Sequence, residues 1–182
     1  KQHQFAKMDS LNSKEKDKDY HFYKALYANV CNKPKLSNQY LDSLKNNELS
    51  NSYEFAKLKY DNYIKLFNYN SAYMASKVLT MKFQEHFTKD ELLDEINAQR
   101  IWKTLRNSKL QIIDKFSKII LPTVKDKAGL ITTEVKANGT SAHFVFDTGA
   151  GISCITETIA GKMGVKVLPD NDVSVESFTG QK

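Results

Sequence analysis

The sequence predicts an α+β protein in two parts, an all-α domain over residues 1–120 and a β-rich domain over residues 121–182. All seven glycines lie at or beyond Gly129, whereas all nine tyrosines lie at or before Tyr73. Glycine serves turns and bulges that need positive φ, so its absence from the first 128 residues predicts helices joined by short polar loops. Beyond Pro122 the apolar residues alternate, which predicts strands.

Apolar side chains recur at helical spacing in six stretches of the first domain, which predicts six helices. The first helix is expected to end before Asn32-Lys33-Pro34, because proline cannot continue it. Residues 68–71 are expected to form the turn between the third and fourth helices. Thr88 and Glu91 are spaced as a capping box, so the fifth helix is expected to begin there. The apolar positions are Phe22, Tyr23, Leu26, Tyr27 and Val30; Leu36, Tyr40, Leu41 and Leu44; Tyr53, Ala56, Tyr60, Tyr63, Ile64 and Phe67; Ala72, Ala75, Val78, Leu79 and Phe83; Leu92, Leu93, Ile96, Ile101 and Leu105; and Leu110, Ile113 and Phe116.

Two architectures fit these helices. The spacing of Tyr63, Tyr69 and Ala72 resembles that of a tetratricopeptide helical pair, which implies a stack of antiparallel hairpins. A generic helical bundle explains the same positions. Under both architectures the tyrosine-rich faces are expected to pack in the core, because aromatic residues at helical spacing are typical of buried helix faces.

Charge and cysteine content disfavour several classes of function. Residues 1–120 hold 21 Lys and Arg against 14 Asp and Glu, giving +7, and residues 121–182 hold 6 against 7, giving −1. Lysines that alternate with acidic residues along helices are typical of a solvated face, so no nucleic-acid partner is expected. No apolar run approaches the ~20 residues of a membrane-spanning helix. Cys31 and Cys154 match no metal-ligand spacing and are expected to be free, buried thiols, although a disulfide joining the two domains stays open. Neither a metal nor another cofactor is expected.

The β-rich domain is predicted to begin with a hairpin. Residues 130–137 alternate between apolar and polar positions, and Asn138-Gly139 is the strongest short-range turn signal for a hairpin. A second strand over residues 141–146 then leads into Asp147-Thr148-Gly149-Ala150. A further apolar strand is expected at Ile152, Cys154 and Ile155, followed by a short helix over residues 157–164.

The run from Ala142 to Ile155 resembles the active-site strand and turn of the aspartic protease clan, which includes pepsin-like and retropepsin-like enzymes and single-lobe bacterial relatives. The apolar residues before Asp147, the Asp-Thr-Gly-Ala turn, the apolar residues after it and the short helix carry the resemblance. It covers residues 121–182 and leaves the helical domain out. It implies that these residues are the N-terminal part of an all-β protease lobe.

The resemblance implies that Asp147, Thr148 and Gly149 are catalytic. In the family this Asp shares a water molecule with a second Asp from the opposite lobe. Two carboxyl groups so close together cannot both be ionised, so they hold one proton between them. The ionised Asp activates the water and the protonated one donates a hydrogen bond to the substrate carbonyl, while the Thr hydroxyl ties the two active-site loops together.

The resemblance also implies where a peptide substrate would bind. Ala150 and Gly151 continue the active-site turn, and they are expected to contact the substrate. In the family a flap closes over the bound peptide, and Phe178, Thr179 and Gly180 correspond to its tip. The same alternation over residues 173–180 also fits a plain strand end.

The second Asp is expected to come from elsewhere, because the sequence has a single Asp-Thr-Gly. A homodimer mate or a downstream lobe of the same chain would supply it. The family's lobe continues past the flap, so residues 1–182 are expected to be a fragment that is inactive alone. The chain begins with Lys1 rather than Met, and relatives with a helical leader are similar to exported bacterial proteins, so a periplasmic, surface or secreted location is expected.

The function expected from the resemblance is that of an aspartic endopeptidase acting on a peptide or protein substrate. The alternative is a non-catalytic protease homologue that binds peptides or proteins through its helical domain. A second Asp close to Asp147 would favour the enzyme over the binding module.

Overall fold

In the computed structural model of the chain, the described residues are 18–45, 48–113, 118, 120–147 and 153–167. They divide into two compact units, and the boundary between the two falls between Gln111 and Ile112. Six α-helices and one three-stranded antiparallel sheet occur in these residues, which confirms the α+β class.

The first unit contains five of the helices, as the sequence predicts for residues up to Leu105. Each helix packs against the next one along the chain. This arrangement is common to a hairpin stack and a helical bundle, so it does not choose between them. The helices are α1 (Lys18–Val30), α2 (Pro34–Asp42), α3 (Tyr53–Lys65), α4 (Tyr69–Lys82) and α5 (Lys89–Leu105), with 3₁₀ turns at Glu48–Asn51 and Gln84–His86.

Two of these helices end in Schellman turns that contain no glycine. After α1, Asn32 has a φ of 53°, and Lys33 N–H donates to Ala28 O at 2.8 Å. After α3, Phe67 has a φ of 56°, and Asn68 N–H donates to Tyr63 O at 2.9 Å. Positive φ is expected at glycines, yet in the helical unit it occurs at Asn32 and Phe67, which carry side chains.

The helical core consists of two apolar clusters. The first joins α1, α2 and α3, and the second joins α3, α4 and the residues after α4. Tyr60 is buried, and Tyr53 and Tyr63 pack against the second cluster, which confirms that tyrosine faces contribute to the core. The buried members are Ala25, Leu41, Leu44, Phe55 and Leu58 in the first cluster and Tyr60, Ala72, Leu79 and Phe83 in the second.

A buried polar network crosses α1, α2 and α3 beside the first cluster. Asn62 is fully buried, and its Nδ2 donates to Ser37 Oγ at 2.8 Å and to Asn38 Oδ1 at 3.0 Å. Its Oδ1 accepts from Asn29 Nδ2 at 2.9 Å. Every polar atom of this amide therefore has a partner, which offsets the cost of removing it from water.

Several sequence-based expectations for the helices are wrong. Tyr23 is exposed, although tyrosine-rich faces are expected in the core. Val30, Leu36 and Leu93 are exposed as well, while polar side chains on the same helices are buried. Tyr69, Asn70 and Ser71 form the first turn of α4 instead of a loop, because Asn68 Oδ1 accepts from Ser71 N–H and caps the helix.

The expected sixth helix is also absent where the structure describes it. Residues 109–113 are not helical, and Leu110 and Ile113 are exposed. A short apolar pattern cannot nucleate a helix without a surface to pack against. Phe116, the last residue of that expected helix, lies outside the described residues.

The second unit contains the sheet and one short helix. The strands are β1 (Thr123–Lys125), β2 (Ile131–Ala137) and β3 (Thr140–Val145), in the order β1-β2-β3 with antiparallel pairing throughout. Asn138 and Gly139, with φ values of 49° and 82°, form the two-residue turn between β2 and β3, which confirms the predicted hairpin. Helix α6 (Glu157–Lys162) confirms the predicted short helix.

Two further expectations are wrong. Residues 153–156 form no strand, because no described strand pairs with them; Ile152 lies outside the described residues. Cys31 and Cys154 are free thiols as expected, but both are exposed rather than buried. Cys31 lies in the turn that ends α1, and Cys154 lies in the unpaired segment before α6, so neither is on a face that packs.

Among the described residues, no helix combines the length and apolar character needed to cross a bilayer.

The capping box at the start of α5 is formed as predicted and makes stability depend on pH. Thr88 N–H donates to Glu91 Oε2 at 2.8 Å, and Glu91 N–H donates to Thr88 Oγ1 at 3.3 Å. These hydrogen bonds from the Thr88 backbone and hydroxyl lower the pKa of Glu91. The stabilisation is therefore present above the ordinary Glu pKa of about 4.3 and is lost as the pH falls through the lower pKa of the folded state.

We predict that Glu91→Gln flattens this pH dependence. The variant should be less stable than the parent at neutral pH and equally stable near pH 3, as measured by urea unfolding across that range. Asp90→Asn, in the same first turn of α5, controls for lost charge near the helix N-terminus. An equal flattening in Asp90→Asn would show that the cap is not the cause.

Candidate functional site

The β2–β3 ladder determines the position of Asp147. Val145 lies opposite Thr132, and Phe146 N–H then donates to Ile131 O at 2.8 Å. Pairing therefore continues one residue beyond β3, to Phe146, and Asp147 follows with its side chain exposed. The carboxyl group lies at the end of the hairpin opposite the Asn138-Gly139 turn.

The turn between β1 and β2 lies at the same end of the sheet as Asp147. Lys125 is the last residue of β1 and pairs with Ile131, the first residue of β2. Asp126 Oδ1 accepts hydrogen bonds from Ala128 N–H and Leu130 N–H, both at 2.9 Å. The side chain of Asp126 therefore organises this turn.

Among the described residues of the sheet, Asp126 is the acidic residue that lies at the same end as Asp147. Its position is not suited to sharing a proton with Asp147. Strand β2 separates β1 from β3, so the two backbones are about 10 Å apart. Carboxyl groups that share a proton must lie within hydrogen-bond distance of each other. Since Asp126 is also engaged by two backbone amides, it acts as a turn residue.

Asn138 connects the far end of the hairpin to α6. Its Nδ2 donates to Met163 O at 2.9 Å and to Gly164 O at 3.2 Å. Helix α6 ends there in a Schellman turn, with Gly164 at a φ of 61° and Val165 N–H donating to Ala160 O at 2.9 Å. The amide thus satisfies carbonyls that the helix end leaves without a helical partner.

Strand β1 is held to β2 by two threonines as well as by the ladder. Thr132 Oγ1 donates to Val124 O and Thr133 Oγ1 donates to Pro122 O, each at 3.1 Å, and both threonines are buried. Sequence reasoning missed this strand. The available signal was the Asp126-Lys127-Ala128-Gly129 turn, since an Asp that caps its own turn and a glycine at positive φ mark a chain reversal.

Of the residues predicted to form the site, the structure describes Asp147. Thr148, Gly149, Ala150 and Gly151 lie outside the described residues, as do Phe178, Thr179 and Gly180 of the expected flap. Within the described ranges, no group of three or more His, Cys, Asp or Glu side chains is arranged to hold a metal ion.

A second cluster of polar side chains lies in the helical unit around Glu95 of α5. The Glu95 side chain is 7% exposed, and its Oε1 accepts from Ser76 Oγ at 2.7 Å. Its Oε2 lies 3.4 Å from Lys57 Nζ. The same lysine nitrogen lies 5.0 Å from the centre of the Tyr60 ring, so its charge faces both a carboxylate and an aromatic face.

Tyr60 links this cluster to α5 through Trp102. Trp102 Nε1–H donates to Tyr60 OH at 2.8 Å, and the Trp102 ring stacks on Tyr69 with 5.8 Å between centroids. Burial, together with the nearby Glu95 charge, raises the pKa of Tyr60 far above its ordinary range. The phenol therefore stays neutral and serves as a hydrogen-bonding core residue.

The Glu95 cluster is structural rather than catalytic. Ser76 is fully buried, so a substrate cannot reach its hydroxyl, and that hydroxyl already donates to Glu95. Sequence reasoning missed the cluster because charged residues on α5 were assigned to a solvated face. The signal was that Glu95, Gln99 and Trp102 follow Leu92 at three- and four-residue spacing, on one face of the helix.

Comparison of the chain with protein-family models, curated proteins and solved structures gives no match. The relationship to aspartic proteases therefore stays a prediction from the residues around Asp147.

We predict that Asn138→Gly releases the end of α6 and preserves the hairpin. Glycine keeps the positive φ of the turn but removes the two bonds to Met163 and Gly164. Loss of these bonds should destabilise the unit by about 1 kcal/mol. Hydrogen exchange should become faster at the Val165 amide and remain unchanged at the Phe146 amide.

Asn138→Asp is the matched variant, because it keeps the size of the side chain. It directs carboxylate oxygens at two carbonyl oxygens, so it should destabilise α6 more than Asn138→Gly does. Slower exchange at Val165 in either variant would contradict the role assigned to Asn138.

We predict that Glu95→Ala destabilises the helical unit by about 1–3 kcal/mol, the cost of leaving a buried hydrogen-bonding group without a partner. Ser76 and Lys57 would both lose their acceptor. Chemical denaturation followed by circular dichroism measures the change. Asp94→Ala, at an exposed neighbouring position on α5, should change stability little, and equal losses in the two variants would argue against the network.

Proposed function

We propose that the chain belongs to an aspartic-type endopeptidase in which Asp147 provides one carboxyl group of the catalytic pair. The observation that supports this most directly is the exposed Asp147 at the end of a paired strand, immediately before Thr148-Gly149-Ala150. A rigid ladder up to Phe146 restrains the backbone that bears the acid. Such restraint is what a general base needs, because proton transfer requires a group held within hydrogen-bond reach of the water.

The second carboxyl group of the pair would come from another copy of this lobe. Asp126 is occupied by its own turn, and the sequence holds a single Asp-Thr-Gly. Two Asp147 side chains, or Asp147 and an Asp of a further lobe, would share one proton and take the two roles of base and acid. The substrate is an extended peptide, which the flap residues would cover as an added strand.

A non-catalytic role as a peptide- or protein-binding module is the second candidate. It is favoured by the exposed apolar side chains of α4 in the helical unit, including Met74 and Met81. The two candidates differ in what they require of Asp147: hydrolysis depends on its carboxyl group, and binding through the helices does not.

The proposal predicts that Asp147→Asn lowers peptide hydrolysis by roughly 10²–10⁴-fold, the usual contribution of general acid–base catalysis. The assay uses the protein in its natural length and a mixture of quenched fluorescent peptides from acidic to neutral pH. Asn preserves the shape of the side chain but cannot accept a proton from water. Glu134→Gln, an exposed acid on β2, is the matched control and should retain full activity.

Equal hydrolysis by the parent and Asp147→Asn would exclude Asp147 as the catalyst. Peptide binding without cleavage, unaffected by Asp147→Asn, would instead support the non-catalytic role. Mixing parent and Asp147→Asn chains distinguishes the two sources of the second Asp, because activity should fall faster than the parent fraction if two Asp147 side chains form the pair.

A further inference from the structure

Helix α4 exposes a ridge of three large apolar side chains. Met74, Val78 and Met81 are 54%, 46% and 77% exposed. They are separated by four and then three residues, so they lie in one line along the helix. In a monomer such side chains are usually scattered singly, whereas a line of them marks a contact surface.

The ridge lies opposite the face that α4 buries. Ala72, Ser76 and Leu79 on the other side of the helix are fully buried, and α4 packs against both α3 and α5. The helix is therefore held by its neighbours on one side and presents a narrow apolar seam on the other. Its position does not depend on whatever covers the ridge.

The pattern matches one face of a coiled coil. If Val78 is placed at heptad position a, then Met74 and Met81 occupy d positions, and Lys77 and Lys82 occupy the flanking g and e positions. Residues at e and g face the charged flanks of a partner helix. Methionine at d suits an adaptable contact, because its side chain is unbranched and polarisable.

The charged side chains of α4 itself are all cationic. Tyr69–Lys82 contains two lysines and no Asp or Glu. Lys77 Nζ and the Arg106 guanidinium lie 5.9 Å and 5.8 Å from the centre of the Tyr73 ring, which gathers two cations on one edge of the helix. A partner of complementary charge must therefore be acidic.

We propose that the outer face of α4, defined by Met74, Lys77, Val78, Met81 and Lys82, binds an acidic amphipathic helix of a partner protein. The partner presents an apolar seam to the ridge and Glu or Asp side chains to the two lysines. This binding surface belongs to the helical unit and is independent of hydrolysis at Asp147.

Two other occupants fit the ridge less well. A second copy of α4 would bring lysines against lysines, which repel each other. An anionic membrane surface also attracts cations, but a helix that lies in a membrane interface inserts a broad apolar face. Here α4 packs against α3 and α5 and exposes a line of single apolar side chains rather than a broad face.

The test measures binding of synthetic helical peptides to the complete chain by fluorescence anisotropy. One peptide has about three heptads with leucine at a and d and glutamate at e and g. The second peptide has the same seam with lysine at e and g. The proposal predicts saturable binding of the glutamate peptide and binding of the lysine peptide weaker by at least about tenfold.

Variants of the ridge make the test specific. Lys77→Glu combined with Lys82→Glu should reverse the preference between the two peptides, and Val78→Ser combined with Met81→Ser should weaken binding of both. Leu93→Ser is the matched control, because Leu93 is 55% exposed on α5, outside the ridge. It should bind the glutamate peptide as the parent does, and circular dichroism verifies that every variant is folded.

Three results would overturn the proposal. The glutamate peptide does not bind, the two peptides bind equally well, or the double glutamate variant keeps the parent's preference. Binding to vesicles that contain phosphatidylserine, with no binding to the glutamate peptide, would show that the ridge contacts anionic lipid instead.

Discussion

The antiparallel ladder between β2 and β3 is the constraint on which the position of the Asp147 carboxyl group depends. A two-residue turn with positive φ at both positions permits a single register, and a shift by one residue would exchange the two faces of each strand. Asn138 and Gly139 meet this requirement, since both have positive φ. The ladder then runs to the bond between Phe146 and Ile131, and Asp147 follows. The turn at one end of the hairpin thus determines where the acid lies at the other end.

The same turn has a second structural role through its asparagine. Any residue that tolerates positive φ could close the hairpin, but the Asn138 amide also donates to two carbonyls at the end of α6. Helix α6 is short, and a helix of this length has little stability of its own. The contact from Asn138 and the burial of Ala160 and Met163 add stability that the internal hydrogen bonds of α6 do not provide. The hairpin and the helix therefore stabilise each other.

The positions of the first five helices could be predicted from the sequence, but the polar residues that they bury could not be. The capping box at Thr88 and the proline at position 34 set boundaries through local chemistry, and both boundaries are confirmed. Burial depends on neighbours that periodicity alone does not reveal. Helix α5 buries Glu95 and exposes Leu93, because Ser76 and Lys57 offer the carboxylate partners on the inner side. Likewise Asn62 replaces an apolar residue in the core because three amide and hydroxyl partners surround it.

These exchanges between polar and apolar positions have a common consequence in the helical unit. Where hydrogen-bonding side chains line the buried face of a helix, apolar side chains of the same helix lie on its exposed face. The Met74–Val78–Met81 ridge is the clearest case, since the opposite side of α4 holds Ser76 against Glu95. Hydrogen bonds specify one arrangement of partners more narrowly than apolar contacts do, because an unmatched polar group is costly when buried. The specific packing of α4 against α5 and the exposed apolar ridge therefore arise from the same distribution of side chains along these two helices.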